Sequence, residues 1–534
     1  MFGKEDLSVP GTVYMVDLDG LQRVQETNTH GANVILVPQP SDDPNDPLRW
    51  LTRKKLLQFW FLFLWAFMQG VITNWTGPVF SIWMEELPCT QMQLNIARAL
   101  MLLFLCMGCL FLQPLALKLG RRMVYVCCTL VQIVVCIIGS QMNSIKVFYL
   151  MQILTGIAAS PGDALVEIST TDVFFQHERA SKLTWFILAL YGGCDLGPVA
   201  AGYIVSNLSW RWCYWIQLII FCCMLVLQIL FMEDTTFSRI DEHDTASSEE
   251  PILVETALKN NYKVSEDDVE IDRPLRTFWQ RRALWESEYG DHRPYLALLL
   301  RPFLLIGFPG IIWSGLVYGA QMFWLSLLAV TQSAFYSAPP YNFSEASVGL
   351  TNVGAFVGVL IGMFYGGPFV DYLTIKLTQR NNGVMEPEFR LWAMAIPTVF
   401  NAGGLLAYGL SIYYGAHWFV SVGIGQALLG FSMSSSGGIC LTYSVDSTPN
   451  LAKEALVLIL VMRNLIGMGF TFAIGPWLDK CGVMETTCLM FMLSVLINAP
   501  FILFLKYGKS LRIMTKARYE RYSDPHLSMA HVFR

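Results

Sequence analysis

The run GGCDLGPVAAG, residues 192–202, lies inside an apolar segment that is long enough to cross a membrane. Small residues recur in it at helical spacing, at Gly193, Gly197, Ala201 and Gly202. This spacing lets a second helix approach closely, and Pro198 bends the helix because it lacks an amide hydrogen. Asp195 puts an ionisable group among apolar neighbours, where its cost favours a functional role. The run therefore predicts a bent, closely packed membrane helix, which is more typical of a transporter than of an anchor or an enzyme.

The composition indicates a protein that spans the membrane several times. Of 534 residues, 54% are hydrophobic and only 14% are charged, whereas a soluble domain has roughly 25% charged residues. The net charge of −5 is uninformative, and without a basic stripe or nucleic-acid motif we expect no nucleic-acid partner. The 13 cysteines lack histidines at metal-ligand spacing, so we interpret them as packing residues and predict no metal site.

Apolar segments of about 20 residues each are the expected length of a membrane-spanning helix. The chain offers twelve of them, which predicts an all-α protein of two six-helix bundles. The predicted spans are 56–82, 95–117, 123–141, 147–171, 182–205, 213–232, 302–330, 349–370, 391–413, 417–445, 455–476 and 486–505.

The order of apolar and polar stretches predicts the domain organisation. A cytoplasmic tail (1–55) precedes the N-terminal bundle (56–232), and a polar linker (233–301) separates it from the C-terminal bundle (302–505). A cytoplasmic tail, 506–534, ends the chain. Two repeated bundles predict a binding site between them, near the middle of the membrane.

Loop charges predict the orientation. Lysine and arginine cluster before the first span and after spans two, four, eight and twelve, whereas loops 83–94 and 332–346 contain neither. The positive-inside rule then puts both termini in the cytoplasm of a multi-pass protein, which we expect in the cell membrane. Asn342, in the sequence Asn-Phe-Ser of an outer loop, is the predicted glycosylation site.

The loop after the second span, LALKLGRR (115–122), resembles the pattern Gly-x-Leu-Ala-Asp-Arg-x-Gly-Arg-Lys of the major facilitator superfamily. Arg121 and Arg122 match, but Leu117 replaces the aspartate. The resemblance implies that the two arginines help to hold the inward gate; topological anchoring alone is the alternative. The equivalent loop after span eight keeps its acid at Asp371, to which the resemblance assigns a gating role.

Further motifs indicate which group within the superfamily the chain resembles. The run 193–202 is similar to the superfamily's antiporter motif in span five, whereas Gln152 replaces an arginine of the span-four motif. The segments TDVFFQH (171–177), PYNFS (340–344) and PEFRL (387–391) look like the yeast histidinol and polyamine permease group, within the fungal twelve-span drug:proton antiporters. This resemblance implies the major facilitator fold.

Three intramembrane acids are the candidates for proton coupling. Asp163 and Glu167 are four residues apart, on one face of a helix. Two neighbouring carboxylates at low dielectric repel each other, which favours a proton or a cation at the pair. Alternatively, Glu167 reaches water from the helix end. Asp195 is a further candidate, or it pairs with a neighbouring helix.

Polar and aromatic residues in the second half are candidates for substrate binding. Trp313, Tyr318 and Gln321 lie in span seven, and Asn352 lies in span eight. Tryptophans in spans can instead belong to the interfacial belt. Arg463 is the basic residue deep in span eleven and needs Asp163, Asp195 or an anionic substrate as its partner.

These observations predict a proton-coupled secondary transporter that moves a small organic molecule by alternating access. Export of a secondary metabolite or toxic compound is the first interpretation, uptake of a cationic amine the second, and a non-transporting sensor the third. We expect no cofactor and no enzymatic activity, because the chain lacks a P-loop and the hydrolase and metalloprotease motifs. The expected partners are the substrate, protons and the lipid bilayer, with the protein acting as a monomer.

Overall fold

The structure is a computed structural model that describes residues 9–14, 25–27, 33–35, 46–87, 89–235, 280–283 and 293–523. Most of the predicted linker, 233–301, and much of both predicted tails lie outside the described residues. Two short antiparallel pairs join β1 (Val13–Tyr14) to β4 (Val384–Met385) and β2 (Gln25–Thr27) to β3 (Asn33–Ile35).

Seven helices form the N-terminal half. They are α1 (Thr52–Asn74), α2 (Phe80–Glu86), α3 (Gln91–Leu119), α4 (Arg121–Ser140), α5 (Ile145–Val173), α6 (Gln176–Asn207) and α7 (Arg211–Phe231). Local sequence sets several of their ends. Thr90 and Gln93 form a capping box at the start of α3, and Gly120, with φ of 96°, makes the turn between α3 and α4.

A short helix, α8 (Tyr295–Leu304), begins within the predicted linker and leads to the C-terminal half. The helices of that half are α9 (Pro309–Ser337), α10 (Glu345–Phe364), α11 (Val370–Arg380), α12 (Ala395–Tyr413), α13 (Ala427–Ser447), α14 (Ala452–Asn498) and α15 (Phe501–Ser523). A π-helical turn, Tyr365–Phe369, joins α10 to α11. Gly482, with φ of 71° and ψ of 176°, interrupts α14 between the predicted spans eleven and twelve.

Nine helical stretches in the described residues are long and apolar enough to cross a membrane. The last of them runs from Pro449 to Ser523, 75 residues, and contains the break at Gly482. Two further long helices, α5 and α13, pack among these stretches. The all-α, multi-span architecture is therefore confirmed, whereas the number of twelve spans stays a prediction.

Packing is closest where small residues face each other. Within the N-terminal half, α3 packs on α5 and α1 packs on α6; between the halves, α6 packs on α10 and α3 packs on α14. The outer surface of the protein is apolar. Apolar side chains on it include Val399, Ile219 and Leu496, which are 61% to 71% exposed. Such a continuous apolar exterior fits lipid rather than water.

The run 192–202 shows how α6 serves both contacts. A side chain at Gly193 would collide with the backbone oxygen of Phe67 in α1. On another side of α6, a side chain at Gly202 would come within 2.9 Å of the Glu345 oxygen, at the start of α10. The small residues of this one helix thus allow close packing within a half and between the halves.

Candidate functional site

A buried ion pair joins the two halves in the middle of the molecule. Asp163 of α5 accepts a hydrogen bond from the Nη2 atom of Arg463 in α14. Both residues are almost fully buried, with 3% and 1% exposure. A charge pair at this depth is costly unless its geometry is good and its other polar atoms are satisfied, so its surroundings decide what it does.

Two neighbours satisfy the guanidinium further. Arg463 donates from Nη1 to the hydroxyl of Tyr318 in α9 at 3.1 Å, and its Cζ lies 5.0 Å from the centre of that ring. The Oδ1 atom of Asn464 accepts from Nε and Nη2 of Arg463 at 3.3 and 3.2 Å. Helices α5, α9 and α14 therefore each contribute a polar group to one cluster.

Glu167 lies one turn along α5 from Asp163 and is fully buried. Neither of its carboxylate oxygens has a hydrogen-bond partner in the part of the chain that the structure describes. A buried unpaired carboxylate is strongly disfavoured when ionised, and it becomes tolerable when a proton or a bound cation neutralises it. The two acids thus share one face but differ in environment: Asp163 has a cationic partner and Glu167 has none.

The predicted substrate-binding residues do not all gather at this cluster. Tyr318 contacts Arg463, but Trp313 donates to the Ile497 carbonyl at 3.1 Å and stacks on Phe504 with ring centres 4.8 Å apart. Gln321 accepts from the Asn401 amide at 3.1 Å, within the C-terminal half. The structure therefore brings one aromatic side chain of span seven to the ion pair, and places Trp313 and Gln321 in contacts of their own half.

Asp195 faces the contact between α6 and α10. It is 2% exposed and makes no hydrogen bond or ion pair within the described residues. The contacts of Gly192 with Phe356 and of Gly349 with Pro198 place the Asp195 position opposite Asn352 along the helix pair. Asn352 donates to the Gly349 carbonyl at 3.1 Å. A second, separate polar position thus lies between the halves.

Arg121 and Arg122, at the start of α4, are buried and hydrogen-bonded rather than exposed. Arg121 pairs with Asp172 at the end of α5, and Lys453 of the C-terminal half lies 3.7 Å from the same carboxylate. Arg122 donates to the Ile229 carbonyl at 2.8 Å. Asp172 therefore links the two halves at the end of the molecule that the predicted topology places in the cytoplasm.

The corresponding loop of the second half forms an equivalent network. Arg390 pairs with Asp371 at 2.9 Å and with Asp446 at 2.6 Å. The other oxygen of Asp371 accepts from the backbone amide and the hydroxyl of Ser181, both at 3.0 Å. Ser181 belongs to α6 of the N-terminal half, so this network also closes a contact between the halves.

Several polar residues of these networks escaped the sequence analysis. Asp172, Arg390 and Asp446 lie near predicted span ends, where charges are common and carry little signal. Arg98 is different, because it lies inside the predicted span 95–117 and is 3% exposed. An ionisable residue at that depth is itself a signal of function, and it could have been found from the sequence.

Long apolar helices in two halves, joined by buried charges in the middle and at one end, define a secondary transporter. A sequence profile described as the Major Facilitator Superfamily matches residues 62–471. The chain belongs to this superfamily, and it is a multi-pass membrane transporter of small molecules.

Two relatives from yeasts match nearly the whole chain. An uncharacterized MFS-type transporter of Schizosaccharomyces pombe is 31% identical over 95% of this chain and 94% of its own. Protein HOL1 of Saccharomyces cerevisiae is 27% identical over 96% of both chains. The crystal structure of the human organic anion transporter MFSD10 (TETRAN) covers 84% of this chain and 99% of its own, with a TM-score of 0.57 at 14% identity, which supports the fold. The resemblance to fungal members of the superfamily is confirmed.

Proposed function

We propose that this protein is a proton-coupled secondary transporter in which Asp163, Glu167 and Arg463 form the coupling site. The observation that carries the proposal is the unpaired, fully buried carboxylate of Glu167 one turn from an ion pair that joins the halves. Such a group takes up a proton readily. The neighbouring ion pair lets that change of charge act on the contact between the halves.

The proposed coupling step depends on the charges of Asp163 and Arg463. A proton on Asp163 removes most of its attraction for Arg463, and the contact between α5 and α14 weakens. The free guanidinium keeps the Tyr318 hydroxyl and the Asn464 amide oxygen as partners, so it is not left unsolvated. The halves can then rock about the central site, which is the motion that alternating access requires.

Export of an amphipathic organic compound is the proposed direction, since the run 193–202 resembles an antiporter motif. One observation favours uptake of a cationic amine as a second candidate: the cluster contains two carboxylates and one guanidinium, Asp163, Glu167 and Arg463. This excess of negative groups suits a cation. The resemblance to the yeast histidinol and polyamine permease group supports the same candidate.

Flux in cells distinguishes the two directions. Cells that express the protein should accumulate less of a lipophilic dye such as rhodamine 6G if it exports, and should accumulate labelled spermidine if it imports amines. The probe that moves is then followed in proteoliposomes with an imposed proton gradient. We expect Asp163→Asn and Glu167→Gln to reduce gradient-driven flux at least tenfold, because each removes a titratable group from the cluster.

The matched control is Asp479→Asn, which neutralises an exposed acid near the end of the first part of α14. It should keep wild-type flux. Gradient-driven flux that stays normal in both Asp163→Asn and Glu167→Gln would overturn the proposed coupling site. Flux that is equal with and without the gradient in the wild type would overturn proton coupling itself.

A further inference from the structure

A further buried cation, Arg98, lies outside the central cluster. Arg98 is the eighth residue of α3, about 10 Å along the helix from its start. Its Nη2 atom donates to the Oδ1 atom of Asn74, the last residue of α1. The amide of Asn74 in turn donates to the Cys194 carbonyl of α6 at 2.7 Å. Three helices of the N-terminal half thus hold this guanidinium in place.

The guanidinium is incompletely satisfied. Its Nε and Nη1 atoms are buried and have no hydrogen-bond partner among the described residues. It forms no ion pair there either, since its one bonded neighbour is the neutral amide of Asn74. Arg463, by contrast, has a carboxylate, a hydroxyl and an amide oxygen around it. A guanidinium remains charged in proteins, so Arg98 is a buried positive charge without a counter-ion from this part of the chain.

A buried charge without a partner costs several kcal/mol, and an arginine offers paired donors that fit the oxygens of a carboxylate or a small inorganic anion. We propose that Arg98, positioned by Asn74, forms a binding site for a small anionic group. That group is either an inorganic anion such as chloride or the carboxylate of an organic ligand. The site is separate from the coupling site at Asp163 and does not depend on the direction of transport.

A substitution at Asn95 can place a carboxylate of the protein itself next to Arg98. Asn95 lies one turn before Arg98 on the same helix and is 8% exposed, and its Oδ1 atom accepts from the Gln91 amide at 3.4 Å. In Asn95→Asp the retained oxygen can still accept that hydrogen bond, and the new charge lies at i, i+3 from Arg98. This variant supplies the missing anion without removing the arginine.

The test measures thermal unfolding of the purified full-length protein at constant ionic strength. The reference buffer contains the sodium salt of HEPES, whose bulky anion is a sulfonate and not a carboxylate, and chloride or acetate replaces it stepwise. Because a ligand that binds the folded state stabilises it by mass action, the melting temperature of the wild type should rise and saturate. Saturation with chloride alone identifies an inorganic anion, and saturation with acetate alone identifies a carboxylate.

The variants make the result specific. Arg98→Gln should raise the half-saturating concentration at least tenfold, and Asn95→Asp should melt higher than the wild type in the HEPES reference buffer and lose the response. The control Arg53→Gln removes an exposed arginine and should respond like the wild type. No saturable response in the wild type, or an unchanged response in Asn95→Asp, would overturn the anion site. Transport is not measured, so failure here leaves the proposed function untouched.

Discussion

Two carboxylates on the same helix face, Asp163 and Glu167, have different surroundings because only one of them meets an arginine. The sequence identified both acids and the need of Arg463 for a partner. It could not choose between Asp163, Asp195 and a substrate, since that choice depends on how α14 packs against α5. The structure places the Arg463 guanidinium on Asp163 and leaves Glu167 unpaired, which is a tertiary outcome that helical spacing alone does not determine.

We expect substitutions of Asp163 and Arg463 to have non-additive effects on stability, because the two residues form an ion pair. Arg463→Gln alone leaves the Asp163 carboxylate without its cation, and removal of one member of a buried pair costs about 3–5 kcal/mol. The double variant Asp163→Asn/Arg463→Gln removes both charges and should unfold at a higher temperature than Arg463→Gln. Thermal unfolding of the purified protein checks this order. Equal losses in the single and double variants would contradict a direct coupling between the two side chains.

At the scale of elements, α6 makes close backbone contacts with α1. A Cβ atom built on Gly193 would lie 3.1 Å from the Cα atom of Gly70, and it would also collide with the Phe67 oxygen. Because these neighbours are backbone atoms, they cannot rotate away. We expect Gly193→Ala to force α1 and α6 apart and to lower the melting temperature by several degrees.

A matched control exists in α14. A side chain built at Gly469 would meet no atom within 4 Å, so Gly469→Ala should leave the melting temperature unchanged or raise it, since alanine favours helix over glycine. Both variants add one methyl group to a helix interior, and only the space around it differs. A Gly193→Ala protein as stable as Gly469→Ala would show that α1 and α6 can separate at no cost.

The packing of α6 could be predicted only in part from the sequence. The spacing of Gly193, Gly197 and Gly202 predicts close packing, since small residues at that period leave a groove on the helix. It could not reveal that the groove meets α1 on one side and α10 of the other half on another. Similarly, the position of Trp313 in span seven predicted a cavity residue, but the structure places the ring against Phe504, away from Arg463. Its role in binding stays a prediction.

At the scale of the whole molecule, polar contacts join the halves at the end that the predicted topology places in the cytoplasm. Two of them are Asp371 with Ser181 and Asp172 with Lys453. Cys109 is a natural reporter for this closure, because it is 1% exposed and its Sγ atom lies 3.9 Å from the Asn464 amide beside the ion pair. Opening of this end should expose Cys109 to water.

The double variant Asp371→Asn/Lys453→Gln should therefore react faster with maleimide at Cys109 than the wild type, by about tenfold. Peptide mass spectrometry resolves this cysteine from the other twelve. Cys488, which is exposed in the closed structure, provides the internal reference and should react at an unchanged rate. If Cys109 labelling does not change, these two contacts do not hold the halves together.

A segment that precedes the first helix makes a further contact between the halves. Residues 9–12 lie against the C-terminal half, whereas the chain continues into α1 of the N-terminal half. Arg512 of α15 donates to the Pro10 carbonyl at 2.6 Å and to the Thr12 hydroxyl at 3.0 Å, and it also pairs with Glu388 at 2.6 Å. Backbone pairing of β1 with β4 extends this contact.

Gly11 makes this docking possible, and its substitution tests it. Gly11 has a φ of 80°, and a side chain there would lie 2.5 Å from the Asp446 carbonyl and 2.9 Å from the Ser447 Cα atom. Gly11→Val is therefore excluded both by backbone conformation and by space. We expect it to detach residues 9–12, to lower the melting temperature by a few degrees and to raise maleimide labelling of Cys109. Deletion of residues 2–14 should reproduce both effects to the same extent, because it removes the same contacts. A deletion that leaves melting and labelling at wild-type values would show that this segment does not tie the halves together.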